Sequence, residues 1–298
     1  MSLTAAVLII ISAFTHALWN LIGKRQRASL AFFSVSAVTV AVLTAPLLVL
    51  YRHSLPAIPP SFWLLLAATG VAQAVYFLGL TAAYRLGDIS LVYPLARSIP
   101  ILLVVAISFF LGKGSAITPV GLVGMVLIVA GCFILPLPSF QQLQWRHYFK
   151  FIYLMVLVTA VGTAAYTLID DEAQRQLRET AAILLNDTQV TLLFIPLQIT
   201  STAVMMALCT LLFKQERQQF KELLMQRSLL ISAALTGLII MATYGLVLAS
   251  MAYVTNVSYV AAFRQLSIPI GAIFGLTLLK EPRYTPKLVG IVVISIGL

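Results

Sequence analysis

The chain has 298 residues, of which 61% are hydrophobic and only 9% are charged, whereas soluble proteins carry roughly 25% charged residues. Such a composition cannot cover a surface that faces water on all sides, which excludes a soluble globular domain. The formal net charge is +10. Because no stripe of Lys and Arg with interleaved aromatic residues accompanies it, we assign this charge to membrane orientation and lipid headgroups and expect no nucleic-acid partner.

Apolar runs separated by charged and Pro/Gly-rich segments predict ten membrane-spanning helices, because about 20 apolar residues cross a bilayer as a helix. The predicted spans are residues 4–22, 28–51, 61–85, 90–112, 117–137, 149–169, 184–213, 228–250, 255–279 and 285–298.

Two connections, 171–183 and 214–227, are long enough to hold structure of their own. In the second, Phe220, Leu223 and Leu224 lie opposite a basic face. This spacing predicts a short helix, which either lies in the membrane interface or extends a span into water.

The distribution of Lys and Arg predicts the orientation of the chain. With the N-terminus outside, thirteen of these residues fall in cytoplasmic connections and four on the opposite side, while Arg97 and Arg264 lie within spans. The positive-inside rule therefore favours both termini outside.

The two halves of the chain share a residue pattern at an offset of 167 positions. Arg97, Lys113, Thr118 and Pro119 recur as Arg264, Lys280, Thr285 and Pro286, and Thr69-Gly70 recurs as Thr236-Gly237. The repeat unit contains five spans, and an odd number makes the second unit enter the membrane from the opposite side. We therefore predict an all-α polytopic membrane protein of two inverted five-helix repeats, residues 1–140 and 148–298.

The first span ends in the segment His16-Ala17-Leu18-Trp19-Asn20-Leu21-Ile22-Gly23-Lys24, and the fourth and ninth spans carry a proline before Leu-Gly-Lys and Leu-Lys-Glu. With five plus five spans, the whole chain resembles the EamA family of the drug/metabolite transporter superfamily. The resemblance implies two five-helix units around a central cavity. It leaves the substrate open, because members carry amino acids, nucleotide sugars, sugar phosphates, choline and drugs. Many relatives place their termini in the cytoplasm, in disagreement with the charge distribution.

Arg97 and Arg264 each lie about 10 Å inside their spans at 1.5 Å per residue. A cation there costs on the order of 2.5 kcal/mol or more unless it faces protein or water. One hypothesis is that both line the cavity and attract a carboxylate or phosphate. The other is that each bonds backbone carbonyls freed by nearby prolines and pins a broken helix.

The acidic residues are predicted at span ends or in loops, and none is expected in the middle of a span. The nine acidic residues of the chain include Asp88, Asp170, Asp171, Asp187, Glu179 and Glu281. A proton-coupled exporter of cations needs a membrane-buried carboxylate in its simplest design, so this placement disfavours that function.

Polar and aromatic residues on faces that can converge on the cavity are the candidate substrate-binding residues. They are His16, Trp19, Asn20, Gln73, Tyr76, Tyr93, Arg97, Thr163, Tyr166, Tyr244, Asn256, Tyr259 and Arg264. For the aromatic residues the alternative is a belt at the membrane interface. His16 either couples transport to protons or joins two helices by a hydrogen bond.

The sequence thus favours a secondary transporter that exports or exchanges a small carboxylate-bearing metabolite, such as an amino acid, by alternating access. The alternative is a quaternary amine such as choline, held in an aromatic cage. An enzyme is not expected, because no nucleophile or cluster of carboxylate and His lies at a membrane face. Cys132 and Cys209 are interpreted as packing residues, and neither a metal nor a cofactor is expected. The expected partners are the substrate and the lipid bilayer, with a monomer favoured and the bacterial inner membrane as the location.

Overall fold

The computed structural model of the chain describes residues 2–23, 29–86, 89–137, 139–142, 151–181, 185–278 and 282–298. Within these ranges, the side chains of residues 18–23, 89–91, 142 and 181 are not described.

The described residues form twelve α-helices and no β-strand. In chain order the helices are α1 (Leu3–Gly23), α2 (Leu30–Leu50), α3 (Pro60–Leu86), α4 (Ile89–Phe110), α5 (Pro119–Ile134), α6 (Phe151–Ala181), α7 (Asp187–Leu212), α8 (Lys214–Met225), α9 (Arg227–Ser250), α10 (Val257–Phe263), α11 (Ser267–Thr277) and α12 (Thr285–Gly297). Helices suit these apolar segments because a helix satisfies its own backbone hydrogen bonds where lipid offers no partner.

Seven helical segments of the described chain are long and apolar enough to cross a membrane, with α10 and α11 counted together as one segment. Shorter apolar stretches occur in α1, α5 and α12. Many large apolar side chains on these helices are exposed, among them Leu43, Phe110 and Val120. Together, the length, the composition and the outward apolar surface make this a polytopic helical membrane protein.

The predicted short helix after the seventh span is confirmed as α8. Its Leu223 is buried against the bundle, whereas Leu224 on the next position is exposed. Glu216 of α8 accepts a hydrogen bond from the backbone N–H of Ala31 at 3.0 Å and pairs with Arg85 at 2.5 Å. The carboxylate therefore fixes α8 beneath the N-terminus of α2, where the helix dipole favours a negative charge.

The predicted connection 171–183 does hold structure, which is a continuation of α6 as far as Ala181. Glu172 pairs with Arg175, and Arg175 pairs with Glu179, at the helical spacings of three and four residues. Lys113 Nζ lies 3.3 Å from Glu172 Oε2 and joins this extension to the end of α4. Ion pairs between residues three and four apart stabilise a helix, so this extension can form although much of its surface is polar.

The polar contacts also separate the two ends of the bundle. Ser61, at the start of α3, bonds Gln176 on the α6 extension at 3.1 Å, whereas Arg85, at the end of α3, pairs with Glu216. Lys113 belongs to the Ser61 end. Arg85 and Lys113 thus lie at opposite ends of the bundle, which agrees with their assignment to opposite sides of the membrane. Which end faces the cytoplasm stays a prediction.

Helices from the two halves of the chain pack against each other in pairs. α3 packs along α6 and α1 along α9, while α2 packs on α7 and α5 on α12. Glycine allows two of the close approaches. A Cβ atom added at Gly70 would lie 2.9 Å from the Ser201 carbonyl oxygen, and one added at Gly237 would lie 2.5 Å from that of Ser36. Small residues of this kind let helix backbones approach closely in lipid.

We expect Gly237→Ala to destabilise the protein by about 1–3 kcal/mol, because the added methyl group collides with the backbone of α2. Gly245→Ala is the matched control on the same helix, since its methyl group would meet only the Ile195 and Met241 side chains, at 3.4 and 3.8 Å. Thermal unfolding of both variants in detergent measures the difference. Equal melting temperatures for the two variants would contradict the close approach of α9 to α2.

Candidate functional site

The ninth predicted span is interrupted near its middle. α10 ends at Phe263, a 3-10 turn covers Arg264–Leu266, and α11 begins at Ser267. Pro269 has no N–H to donate to the carbonyl group of Gln265 four residues earlier, so one regular helical hydrogen bond is missing beside the turn. Within the turn the Ser267 N–H bonds the Arg264 and Gln265 carbonyl oxygens, and these oxygens can accept further bonds from neighbouring groups.

Arg97 on α4 supplies hydrogen-bond donors to this turn. Its Nη2 donates to the Arg264 carbonyl oxygen at 3.1 Å and to Ser267 Oγ at 3.2 Å. Its Nε donates to Gln265 Oε1 at 3.1 Å. The guanidinium thus ties α4 to the interrupted span, and for Arg97 this geometry matches the hypothesis of an arginine that satisfies backbone beside a proline.

His16 on α1 contacts the same guanidinium. Its Nε2 lies 3.3 Å from Arg97 Nη1, and its ring stacks on that of Tyr93 with 6.4 Å between centroids. Because a guanidinium only donates, His16 Nε2 accepts this bond and the ring proton belongs on Nδ1. The contact joins α1 to α4, as the helix-joining interpretation expects, and a proton-coupling role for His16 stays a prediction.

Arg264 directs its side chain toward a cluster of tyrosines. Its guanidinium carbon lies 5.4 Å from the Tyr244 ring centroid, and the side chain also interacts with Tyr166. Tyr166 packs edge-on against Tyr76 and against Tyr244, with 5.7 Å between centroids in both pairs. Three tyrosines, from α3, α6 and α9, therefore form one aromatic cluster beside a half-buried cation.

A carboxyl group also lies inside this part of the bundle. Asp170 is fully buried, and α6 continues for eleven residues beyond it. Thr69 Oγ1 donates to Asp170 Oδ1 at 2.5 Å, and the Tyr244 hydroxyl donates to Oδ2 at 2.6 Å. The expectation that no carboxylate lies within a span is therefore wrong, because the helix does not end at residue 169.

The remaining predicted site residues lie outside this group or outside the described side chains. Asn256 caps α10 and donates to the Lys113 carbonyl oxygen at 3.0 Å. The Tyr259 hydroxyl accepts from the Thr118 N–H at 2.8 Å. Both contacts join the start of α10 to the segment between α4 and α5, so they position helices and lie apart from the tyrosine cluster.

Two further candidates, Gln73 and Thr163, line the contact between α3 and α6. Gln73 is buried in α3, and Thr163 donates to the Thr159 carbonyl oxygen of its own helix at 2.9 Å. The side chains of Trp19 and Asn20 lie outside the described residues. The structure thus brings together His16, Tyr76, Tyr93, Arg97, Tyr166, Tyr244 and Arg264 as one polar and aromatic group.

Four members of this group were missed by the sequence analysis. They are Thr69, Asp170, Gln265 and Ser267. For Asp170 a signal existed, because Tyr166, Ala173 and Leu177 continue the buried helical stripe across it at spacings of three and four residues. Gln265 and Ser267 carry no comparable signal, since their role follows from the bend of the span.

Among the described residues, no three His, Cys, Asp or Glu side chains lie close enough to share a metal ion. Cys132 is buried in the apolar contact between α5 and α12, and Cys209 is half-buried; both are free thiols. The group around the interrupted span offers hydrogen-bond donors, aromatic faces and one buried carboxyl. It is suited to binding a polar organic molecule and has no nucleophile placed for covalent chemistry.

Comparison with known proteins agrees with this description. The model of the EamA-like transporter family matches residues 3–137 of the chain. No curated protein matches the chain.

Among solved structures, 26 chains match. One of them, titled "Crystal structure of protein", is 13% identical with a TM-score of 0.64, and the match covers 98% of this chain and 96% of that one. At this identity the likeness shows the fold alone. Through the match over residues 3–137, the first part of the chain is similar to the EamA-like transporter family.

Proposed function

We propose that this chain is a secondary transporter that exports or exchanges a small carboxylate-bearing metabolite, such as an amino acid, by alternating access. The observation that carries the proposal is the position of Arg264. Its guanidinium is half-buried beside the tyrosine cluster, and in the described part of the chain it forms no salt bridge. A planar cation in such a place binds a carboxylate well, because it can donate two parallel hydrogen bonds away from bulk water.

The proposed architecture is two inverted five-helix repeats, residues 1–140 and 148–298, around a central cavity. The pairing of helices supports it. In the proposed repeat, α1 corresponds to α6 and α3 corresponds to α9. A two-fold relation therefore converts the contact of α3 with α6 into the contact of α9 with α1, and both contacts occur. The contact of Gly70 with Ser201 likewise becomes that of Gly237 with Ser36. A pseudo-two-fold relation of this kind is typical of secondary transporters.

The two repeat-related arginines have different surroundings, and this assigns them different roles. The Arg97 guanidinium donates hydrogen bonds to the interrupted span and to His16. Arg264 lies against the ring of Tyr244 and forms a side-chain hydrogen bond with Tyr166, so its contacts are with the tyrosine cluster. We therefore assign substrate contact to Arg264 and the positioning of the interrupted span to Arg97.

The interrupted span supplies a candidate moving element for alternating access. A 3-10 turn inside a membrane-spanning helix is a point where the two helical parts can change their angle. Arg97 from α4 contacts this point from the opposite repeat. Binding of a substrate carboxylate to Arg264, which belongs to the turn, can therefore bias the angle between α10 and α11.

The quaternary-amine alternative has less support from the same geometry. Two of the rings needed for an aromatic cage already face guanidinium groups, Tyr93 that of Arg97 at 5.8 Å and Tyr244 that of Arg264 at 5.4 Å. A quaternary ammonium placed there would meet two like charges at short range, which weakens its binding. The proposal also includes a monomer in the bacterial inner membrane, with the lipid bilayer and the substrate as its partners.

A liposome flux assay with a panel of labelled amino acids, organic acids and choline tests the substrate class. We expect Arg264→Gln to lower flux of carboxylate-bearing compounds by about tenfold or more, since a hydrogen bond to a charged group contributes about 1.5–3 kcal/mol. Arg264→Lys retains the charge and should keep intermediate flux. Arg52→Gln changes an exposed arginine at one end of the bundle and serves as the control. If the wild type transports choline but no carboxylate-bearing compound, and Arg264→Gln leaves the choline flux intact, the quaternary amine replaces the carboxylate as the substrate class.

The different roles of the arginines predict different stabilities. Arg97→Gln removes donors from the Arg264 carbonyl, Ser267 and Gln265, and we expect it to lower the free energy of unfolding by at least about 2 kcal/mol. Arg264→Gln loses mainly ring contacts and should cost less. Thermal unfolding of both variants in detergent makes the comparison. A larger loss for Arg264→Gln than for Arg97→Gln would overturn the assignment of roles.

A further inference from the structure

The buried carboxyl of Asp170 has no part in the transport proposal above, although its position is unusual for a membrane protein. The side chain is fully buried. Thr69 on α3 donates to one of its oxygens, and Tyr244 on α9 donates to the other. Three helices from both halves of the chain therefore meet at a single carboxyl group. Ionisable groups inside membrane-spanning segments are rare and are commonly functional.

The surroundings of this carboxyl are apolar on the next turn of each helix. Leu66 precedes Thr69 by three residues on α3, Ala173 follows Asp170 by three on α6, and Val247 follows Tyr244 by three on α9. All belong to the largest apolar cluster of the described chain, to which α7 adds Val190 and Phe194. An ionised carboxylate in such surroundings costs free energy unless hydrogen bonds and a nearby cation compensate it.

The charged and titratable groups that face Asp170 are few. α9 contributes Tyr244, and Arg264 of the 3-10 turn and the neighbouring Asp171 act on the carboxyl electrostatically. α3 contributes the Thr69 hydroxyl, which does not titrate.

Lys113 at the nearby bundle end and Tyr259 on α10 have other partners, whereas Arg178, two turns beyond Asp170 on α6, forms no salt bridge among the described residues. Lys113, after α4, pairs with Glu172, and the Tyr259 hydroxyl on α10 bonds Thr118. No salt bridge of the described residues includes Asp170. Among the cations, Arg264 acts on the Asp170 carboxyl electrostatically and can compensate its ionised form.

The hydrogen bonds around Asp170 can accommodate both an ionised and a protonated carboxyl. An ionised carboxylate only accepts, and it receives the two hydroxyl protons described above. A protonated carboxyl donates as well, so one neighbouring hydroxyl must turn to accept. Thr69 can do so by donating instead to the carbonyl four residues earlier in its helix. Thr81 on the same helix already makes that bond, to Phe77 at 2.8 Å.

Tyr244 connects the carboxyl with the cation assigned to the substrate. Its hydroxyl bonds Asp170, and its ring faces the guanidinium of Arg264. An ionised Asp170 and a substrate carboxylate therefore compete for the positive charge of Arg264. When a proton neutralises Asp170, the full charge of Arg264 is available to the substrate.

We propose that Asp170 is a proton-binding site that couples the transport of a carboxylate-bearing substrate to protons through Tyr244 and Arg264. The coupling rests on the proposed function, whereas the proton site itself does not. Hydronium gives a proton to one carboxylate oxygen and becomes water, no other covalent bond changes, and the proton returns to water when the substrate leaves. Because proton and substrate favour each other's binding by the same factor, they cross the membrane together.

The enclosure of Asp170 favours a proton over other ligands. Both oxygens are engaged and the residue has no exposed surface, so a substrate ammonium group has no room to reach it. A sodium ion would need additional oxygen ligands and space for itself. A proton needs neither, and the hydroxyl of Thr69 or Tyr244 can accept the hydrogen bond that it creates.

Infrared difference spectroscopy of the purified protein, titrated with acid in the absence of substrate, tests the proton site. We expect the wild type to show a C=O stretching band of a neutral carboxylic acid that appears as pH falls and is missing from Asp170→Asn. Asp187→Asn, at the exposed start of α7, is the control and should keep the band. Tyr244→Phe removes one hydrogen bond to the carboxyl and should shift the band, which assigns it even if Asp170→Asn does not fold. A wild-type band that all three variants leave unchanged would overturn the site.

Proteoliposomes filled with the pH dye pyranine test the coupling separately. A mixture of the twenty L-amino acids added outside should change the internal pH of wild-type liposomes, and Asp170→Asn should reduce this change by about fivefold or more, the lower range of measured coupling factors. Labelled amino-acid exchange should persist in the variant, since exchange needs no net proton movement. If wild-type liposomes exchange amino acids without moving protons, or transport amino acids only when a sodium gradient is present, the proposed proton coupling is wrong. If they carry no amino acid while the infrared band is present, the proposed substrate class fails and the proton site stands.

Discussion

The rest of the site depends on the hydrogen bonds that Arg97 donates to the interrupted span. A guanidinium inside a bilayer needs partners for its N–H groups and its charge, and a turn inside a helix offers carbonyl lone pairs. The Ser267 N–H bonds the Arg264 and Gln265 carbonyl oxygens within the turn, and Arg97 adds bonds to the Arg264 carbonyl oxygen and to the side chains of Gln265 and Ser267. The backbone turn held in this way also directs the Arg264 side chain toward the tyrosines.

The proposed function depends on differences between two halves of the chain that share a residue pattern. Arg97 and Arg264 occupy equivalent positions of the sequence repeat, but only the span that carries Arg264 is interrupted. Asp170 is a second difference. The segment Trp19–Ile22 matches Tyr166–Ile169, and the residue that follows is Gly23 in one half and Asp170 in the other. In the proposed architecture of two related halves, one arginine binds the interrupted span, the other lies against the tyrosine cluster, and one carboxyl is buried.

Much of the fold and part of the site could be predicted from the sequence. Apolar runs located the helices, and the pair of arginines at lipid depth identified the residues around which the polar group forms. Hydropathy did not predict that Asp170 lies inside a helix, because the hydropathy of α6 falls at Asp170-Asp171 although the helix continues. There the ion pairs of Glu172, Arg175 and Glu179 replace apolar burial as the source of stability. Asn256 and Tyr259 were predicted to face the cavity because the sequence does not show that Asn256 caps α10 and that Tyr259 bonds the segment before α5.

The sequence by itself determined that this is a helical membrane protein, where its apolar helices lie, and that cations occur at lipid depth, because these properties follow from local composition. Only the tertiary structure decided which donors each arginine uses, where the ninth span breaks, and that Thr69 and Tyr244 meet on Asp170. These are contacts between residues about 70 to 170 positions apart in the chain, such as the 101 positions between Thr69 and Asp170. They arise only when helices from both halves pack together, and the periodicity of one helix carries no information about its partner's side chains.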